Sequence, residues 1–236
     1  MTPGLKNAGQ TFQRFIHEVL HGLYFVFAFI DDLLVASPDK ETHETHLRTV
    51  LQRLEDNGIS INPSKCICGQ KEVQFLGFTV SKEGIKPPTE KVRVIIDYAK
   101  PNTIEELTPF LGMVNFYREH IPKAAEIQAP LQAYLHNTKK KDKMLIGWND
   151  EATKAFEACK AAIQNAALLA HPSHEATLAI FSDASKLSVG AVLQQYINGK
   201  WQQLGYFSKK FDHSTESYSL STWLSSTSEK RSRVET

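Results

Sequence analysis

Apolar positions along the chain fall into alternating rhythms. In residues 11–20, TFQRFIHEVL, the residues Phe12, Phe15, Ile16, Val19 and Leu20 keep helical spacing and Gly22 ends the run. Residues 24–30 and 33–36 read as two short buried strands. Residues 41–57 read as a helix with Leu47, Val50, Leu51 and Leu54 on its inner face, closed by Gly58. Residues 73–80, VQFLGFTV, read as one strand, after which Glu83-Gly84 turns the chain and Pro87-Pro88 blocks continuation of either element. Helical patterns follow over 89–99 and 103–118, the second opened by a capping box at Thr103 and Glu106. A further helix is predicted from Asn149 to about residue 167, then strands over 177–181, 189–195 and 202–207, with Asn198-Gly199 supplying a hairpin turn. From 214 to 236 serine and threonine dominate without periodicity, which predicts disorder.

Composition narrows the function classes only a little. The 236 residues are long enough to bury one large or two modest cores, and a net charge of +1 neither demands nor excludes nucleic acid, because an acidic metal site and basic flanks can cancel. Cys66, Cys68 and Cys159 are too few for a disulfide framework and point to a reducing compartment. With no basic-then-apolar leader and no apolar run of about 18 residues or more, the expectation is an intracellular protein, cytoplasmic or nuclear, with no membrane partner.

The chemistry gathers at FAFIDDLLVA, where Asp31 and Asp32 interrupt an apolar run. They suit the bend between two strands, which favours Asp, Asn and Gly. They also suit a divalent cation, since two carboxylates crowded among apolar strands repel unless a positive charge sits between them. Mg²⁺ accepts one or two protein carboxylates together with substrate phosphates, and a two-metal clamp of this kind serves phosphoryl transfer. Other candidates are weaker. His43 and His46 in HETH read as a solvated helix face, Cys66-x-Cys68 as strand thiols beside the core, and Phe110, Phe116 and Tyr117 as core rather than base-stacking residues. Lys139-Lys140-Lys141 reads as an exposed loop.

The ordered blocks GLKNAGQTFQRFIHEVL, FAFIDDLLVAS, INPSKC, VQFLGFTVSKEGIKPP, FLGMVNFYREHIP, WNDEATKAFEACKAAI, FSDASKLSVGAVLQQ and LGYFSKKF closely resemble the Pol polyprotein reverse transcriptases of Ty3/gypsy-type long-terminal-repeat retrotransposons. The resemblance covers nearly everything from residue 1 to about 211. It implies an α+β architecture: a partial reverse-transcriptase palm over 1–88, a helical thumb and connection over 89–145, and an incomplete RNase H-like α/β domain over 146–213, with 214–236 a tail that is disordered or read out of the ancestral frame. By resemblance, Asp31 binds the catalytic metals and Asp32 supports the site. Gly4, Lys6 and Asn7 lie under the template base and incoming nucleotide, and Phe75, Leu76 and Gly77 grip the primer end. Asp183 is the first carboxylate of the RNase H-like site. The implied cofactor is Mg²⁺ or Mn²⁺, and the implied partners are an RNA template, a DNA primer, an RNA–DNA hybrid, dNTP and the rest of a Pol polyprotein.

Several positions depart from the family pattern. The palm's third aspartate precedes the Gly-Leu-Lys-Asn-Ala motif, inside which this chain begins, so the fingers and that residue are expected to be missing. Met1-Thr2-Pro3 stands where the family has Met-Pro-Phe, and Gly9 replaces a proline. Tyr218-Ser219 is followed by LSTWLSSTSEK, which leaves the RNase H-like glutamate unplaced, and Glu229 stands too far along. Two readings follow: a fragment of an RNA-directed DNA polymerase, inactive as the isolated chain, or a non-catalytic nucleic-acid- or protein-binding remnant.

Overall fold

A computed structural model describes residues 7–136, 143–184 and 188–211. Gly4, Lys6, the triple lysine and the tail expected to be disordered lie outside the described residues. The chain divides into two compact units, Met1–Leu76 and Gly77–Thr236.

The first unit begins with helix α1, Ala8–Val19, which buries Ile16 and Val19. Strands β1 (Val26–Phe29) and β2 (Asp32–Val35) form an antiparallel hairpin in which Phe29 faces Asp32. Helix α2, Lys40–Asp56, is capped by the Asp39 carboxylate, which accepts from the Thr42 amide at 2.8 Å. That bond holds the Asp39 carboxyl below its ordinary range. Ile16, Val19, Leu20, Ala28, Val50 and Leu54 make the core of this unit, so α1, β1 and α2 are tied by burial of apolar side chains. The pattern placed Leu51 on the inner face of α2, but it is 44% exposed, because the helix is covered along only the stripe that carries Val50 and Leu54. Beyond α2, Asn62 caps a short 3₁₀ turn, Pro63–Lys65, and strand β3 runs Glu72–Phe75.

The single strand expected over 73–80 is in fact broken. Leu76 and Gly77 take φ of 49° and 83°, a left-handed pair that reverses the chain before strand β4, Phe78–Ser81. The periodic pattern missed this because Leu76 continues the apolar run. Cys66 and Cys68 are exposed and lie outside any strand, which corrects their placement beside the core.

In the second unit β4 pairs with β5, Gly84–Lys86, and Ile85 bonds both ways with Leu169. Helices α3 (Thr89–Ile96), α4 (Ile104–Phe116), α5 (Ala124–Gln132) and α6 (Asp150–Gln164) then enclose a core of Leu107, Phe110, Leu111, Leu131, Phe156, Cys159 and Ile163, among others. The predicted N-caps form, since Thr103 Oγ1 accepts from the Glu106 amide and Asn149 Oδ1 accepts from the Ala152 amide, but the return bond of the expected capping box shifts by one residue, the Glu106 carboxylate accepting from the Asn102 amide. Phe110 and Tyr117 are core as expected, whereas Phe116 is 55% exposed and lies parallel to Phe78 with centroids 5.3 Å apart. Burial pushes the Cys159 thiol up to about 12, which makes it an inert core side chain.

Strands β6 (Thr177–Ala184), β7 (Ser188–Ile197) and β8 (Lys200–Lys210) form an antiparallel sheet in sequence order, and Asn198 and Gly199 at φ 52° and 77° make the predicted turn. The described residues therefore form a mixed helix and sheet fold, with each unit built on its own core.

Candidate functional site

The carboxylate pair sits where the chain is forced to bend. Phe29 and Asp32 face each other in the ladder, leaving Ile30 and Asp31 as a two-residue connection. Ile30 adopts φ 50°. A β-branched residue in the left-handed region is a genuine outlier, costing about 1–3 kcal/mol, and such strain collects at functional sites. Asp31 and Asp32 are both exposed at this apex, while Ala28 behind them is buried in the core of the unit. Both earlier readings of the pair are thus compatible with one geometry, for Asp31 belongs to the bend and yet, like Asp32 next to it in the chain, is exposed.

Neighbouring elements hold this hairpin. The Gln13 side chain of α1 donates from Nε2 to the Ala28 carbonyl at 2.8 Å and accepts on Oε1 from the Ile30 amide at 2.5 Å. Gln13 was absent from the candidates read off the sequence. The available signal was a polar residue one turn before Ile16, on the side of α1 that faces the core. Phe75, one of the expected primer-end residues, meets Phe27 of β1 edge to face with centroids 5.9 Å apart. Leu76 and Gly77 form the turn that follows, and the Gly77 carbonyl accepts from the Tyr117 hydroxyl at 3.1 Å. Asn7 precedes α1. Its carbonyl accepts from both the amide and the hydroxyl of Thr11, and its side chain makes no capping bond.

His43 and His46 prove to be half-buried rather than solvated. Their Nδ1 atoms lie 3.1 and 2.8 Å from Ser37 Oγ, and the His46 ring stacks on Phe25 at 3.5 Å. The pair braces the β2–α2 connection, which argues against a metal role.

In the other unit Asp183 lies near the end of β6, opposite Gly190, with its side chain 83% exposed. Lys123 Nζ stands 3.9 Å from its Oδ2. Lys123 itself takes φ 53° immediately before α5, and it shares a small hollow of about 30 Å³ with Glu126, Asp183, Ser188, Gly190 and Ser208. Nothing in the sequence pattern marked Lys123.

The donor set can be tested against a divalent cation. Exposed hard oxygens on adjacent residues suit Mg²⁺ or Mn²⁺, but among the described residues no group of three or more His, Cys, Asp or Glu side chains could enclose an ion. The apex therefore offers part of a coordination shell. No helix among the described residues is long and apolar enough to cross a membrane.

Comparison with known proteins agrees with this layout. Residues 1–80 match the family model for reverse transcriptase (RNA-dependent DNA polymerase), and residues 148–223 match that for the RNase H-like domain found in reverse transcriptase. The Transposon Tf2-3 polyprotein of Schizosaccharomyces pombe is 33% identical over 224 residues, covering 94% of this chain and 16% of that polyprotein, and the Tf2-7 polyprotein of the same organism is 32% identical over the same share. The chain thus spans about a sixth of the length of these relatives. Among solved structures, a foamy viral protease-reverse transcriptase in complex with an RNA/DNA hybrid shares the fold at a TM-score of 0.83 and 23% identity, covering 98% of this chain and 31% of that one. The same viral protein in complex with dsDNA gives 0.80 at 24% identity, covering 98% and 48%. Two family models in this order, with polyprotein relatives aligned across nearly all of it, place the chain in the Ty3/gypsy-type retrotransposon Pol family, as reverse transcriptase and RNase H-like sequence.

Proposed function

We propose that this chain supplies the carboxylate hairpin of an RNA-directed DNA polymerase palm, with Asp31 as the metal ligand that meets the growing primer end and Asp32 supporting it. The observation that carries the reading is the strained apex at Ile30, which exposes two carboxylates on a hairpin anchored in the core of its unit by Ala28. Bound Mg²⁺ would supply activation of the attacking 3′-hydroxyl and stabilisation of the leaving oxygen. The chain's own part is placement: the β1–β2 ladder fixes Asp32, the bend fixes Asp31, and Phe75 packed on Phe27 sets the start of the primer-end turn relative to the same hairpin. Asn7, with Gly4 and Lys6 before it, serves the template base and the dNTP. Asp183 is assigned as the first carboxylate of the RNase H-like site, acting on the RNA of an RNA–DNA hybrid.

With two carboxylates at the apex and no third ligand grouped with them among the described residues, the further ligands come from substrate phosphates and from elsewhere in a Pol polyprotein. Misplacement of a reacting group by about 1 Å can cost on the order of 100-fold, so the 236-residue chain alone neither polymerises nor cleaves at a useful rate.

The test uses the chain with a labelled DNA primer on an RNA template. Binding that weakens as salt rises is expected, because phosphate contacts release counterions, with no extension in Mg²⁺ or Mn²⁺. Template-dependent extension would refute the inert part of the proposal, and failure to bind at low salt would refute the nucleic-acid part.

A further inference from the structure

We infer that Gln13 is a positioning residue for the carboxylate apex: its side-chain amide locks the Ile30–Asp31 bend in the left-handed form that sets Asp31 beside Asp32. This rests on the reading of those aspartates as metal ligands.

The amide spans the bend. Oε1 takes the Ile30 N–H at 2.5 Å and Nε2 gives a proton to the Ala28 carbonyl at 2.8 Å, so only one orientation of the amide satisfies both. Nε2 also lies 2.7 Å from His17 Nε2, one turn further along α1, which accounts for its second proton. The helix carrying Gln13 is anchored by Ile16 and Val19 in the same core that holds Ala28, so the clamp is fixed to the scaffold rather than to a loop. A two-residue hairpin connection needs no such clamp when Asn or Gly occupies the left-handed position. Here a β-branched residue occupies it, and a side chain from another element holds it there. The ladder already pairs Phe29 with Asp32, so what the clamp adds is the direction in which the next carboxylate, that of Asp31, is presented.

The test uses the full chain, labelled with ¹⁵N, as wild type, Gln13→Met, Gln13→Glu and Asp31→Asn. Methionine keeps the length without the polar atoms, and glutamate keeps the acceptor for Ile30. Two quantities are read: hydrogen exchange of the Ile30 amide, and Mn²⁺ affinity from the paramagnetic resonance of free Mn²⁺. Gln13→Met should speed Ile30 exchange and weaken Mn²⁺ binding about 10-fold, the lower end for residues that orient a metal ligand, while Gln13→Glu keeps Ile30 protected. A folded Gln13→Met chain with wild-type Mn²⁺ affinity, or with unchanged Ile30 exchange, overturns the inference. Should Gln13→Met fail to fold, Gln13→Glu decides, since loss of Ile30 protection in that variant overturns it equally. Wild-type Mn²⁺ binding by Asp31→Asn would instead overturn the metal reading and leave the Ile30 exchange to judge the clamp.

Discussion

At Gly77 a left-handed φ of 83° coincides with a tight wall, for a Cβ there would lie 3.1 Å from two atoms of the Phe116 ring. Gly77→Ala should therefore destabilise the second unit by roughly 1–2 kcal/mol, the sum of the left-handed penalty and a forced shift of the ring, seen as a lower urea midpoint at unchanged slope. His120 makes a different prediction. Its ring is buried against Phe78 and its Nδ1 lies 2.8 Å from the Ala167 carbonyl. Burial lowers its readiness to take a proton, outweighing the opposing pull of that carbonyl and of Glu119. The unfolded chain then binds more protons than the folded one between the folded value and the ordinary value of about 6.5, so stability rises with pH across that window and falls on acidification. A urea series from pH 5 to 8 should show this slope, and His120→Gln should flatten it. Residues of this kind were hardly legible in sequence: the Leu76–Gly77 reversal hides inside an unbroken apolar run, and the buried state of His120 depends on Phe78 and Ala167, both distant along the chain.

Elements were easier to read than residues, because period and caps are local. The boundary of α6 was legible from Asn149, which caps it as expected, and Asn149→Ala should cost about 1 kcal/mol, measured as a lower thermal midpoint. Phe110, fully buried and 4.6 Å from Phe156 between ring centroids, ties α4 to α6, and Phe110→Ala should cost about 3–5 kcal/mol in the same measurement. The faces of helices were less legible than their ends. Leu51 continues an apolar stripe yet lies beyond the strip that a neighbouring element covers, and Phe116, with one face against Phe78, leaves the rest of its ring exposed. Helix α5 illustrates the same limit. It carries Pro130 inside and begins at a left-handed Lys123, neither of which matches a simple start signal, and its contribution of Leu131 to the common core follows from packing alone. The aspartate hairpin was legible because two strands and an acidic bend fit within a few residues. The clamp from Gln13 was not, since it joins positions 15 and 17 residues apart.

For the whole chain, the family is legible from ordered blocks, whereas among the described residues no three potential metal ligands are grouped, so the blocks say more about descent than about the assembled site. The apex leaves apolar side chains in water: Phe27, Phe29 and Ile30 are all exposed on a two-stranded hairpin, an arrangement that invites association between copies. Phe29→Thr should raise the concentration at which the isolated chain stays monomeric, as judged by sedimentation velocity. The exposed carboxylates at this apex are proposed to hold a divalent cation. The most direct test of that proposal is Mn²⁺-induced broadening of the backbone amide signals of residues 29–33 in the ¹⁵N-labelled chain. Selective broadening of these signals in the wild type, abolished in Asp31→Asn, is the predicted result; broadening spread evenly over the chain, or unchanged by the substitution, would contradict it.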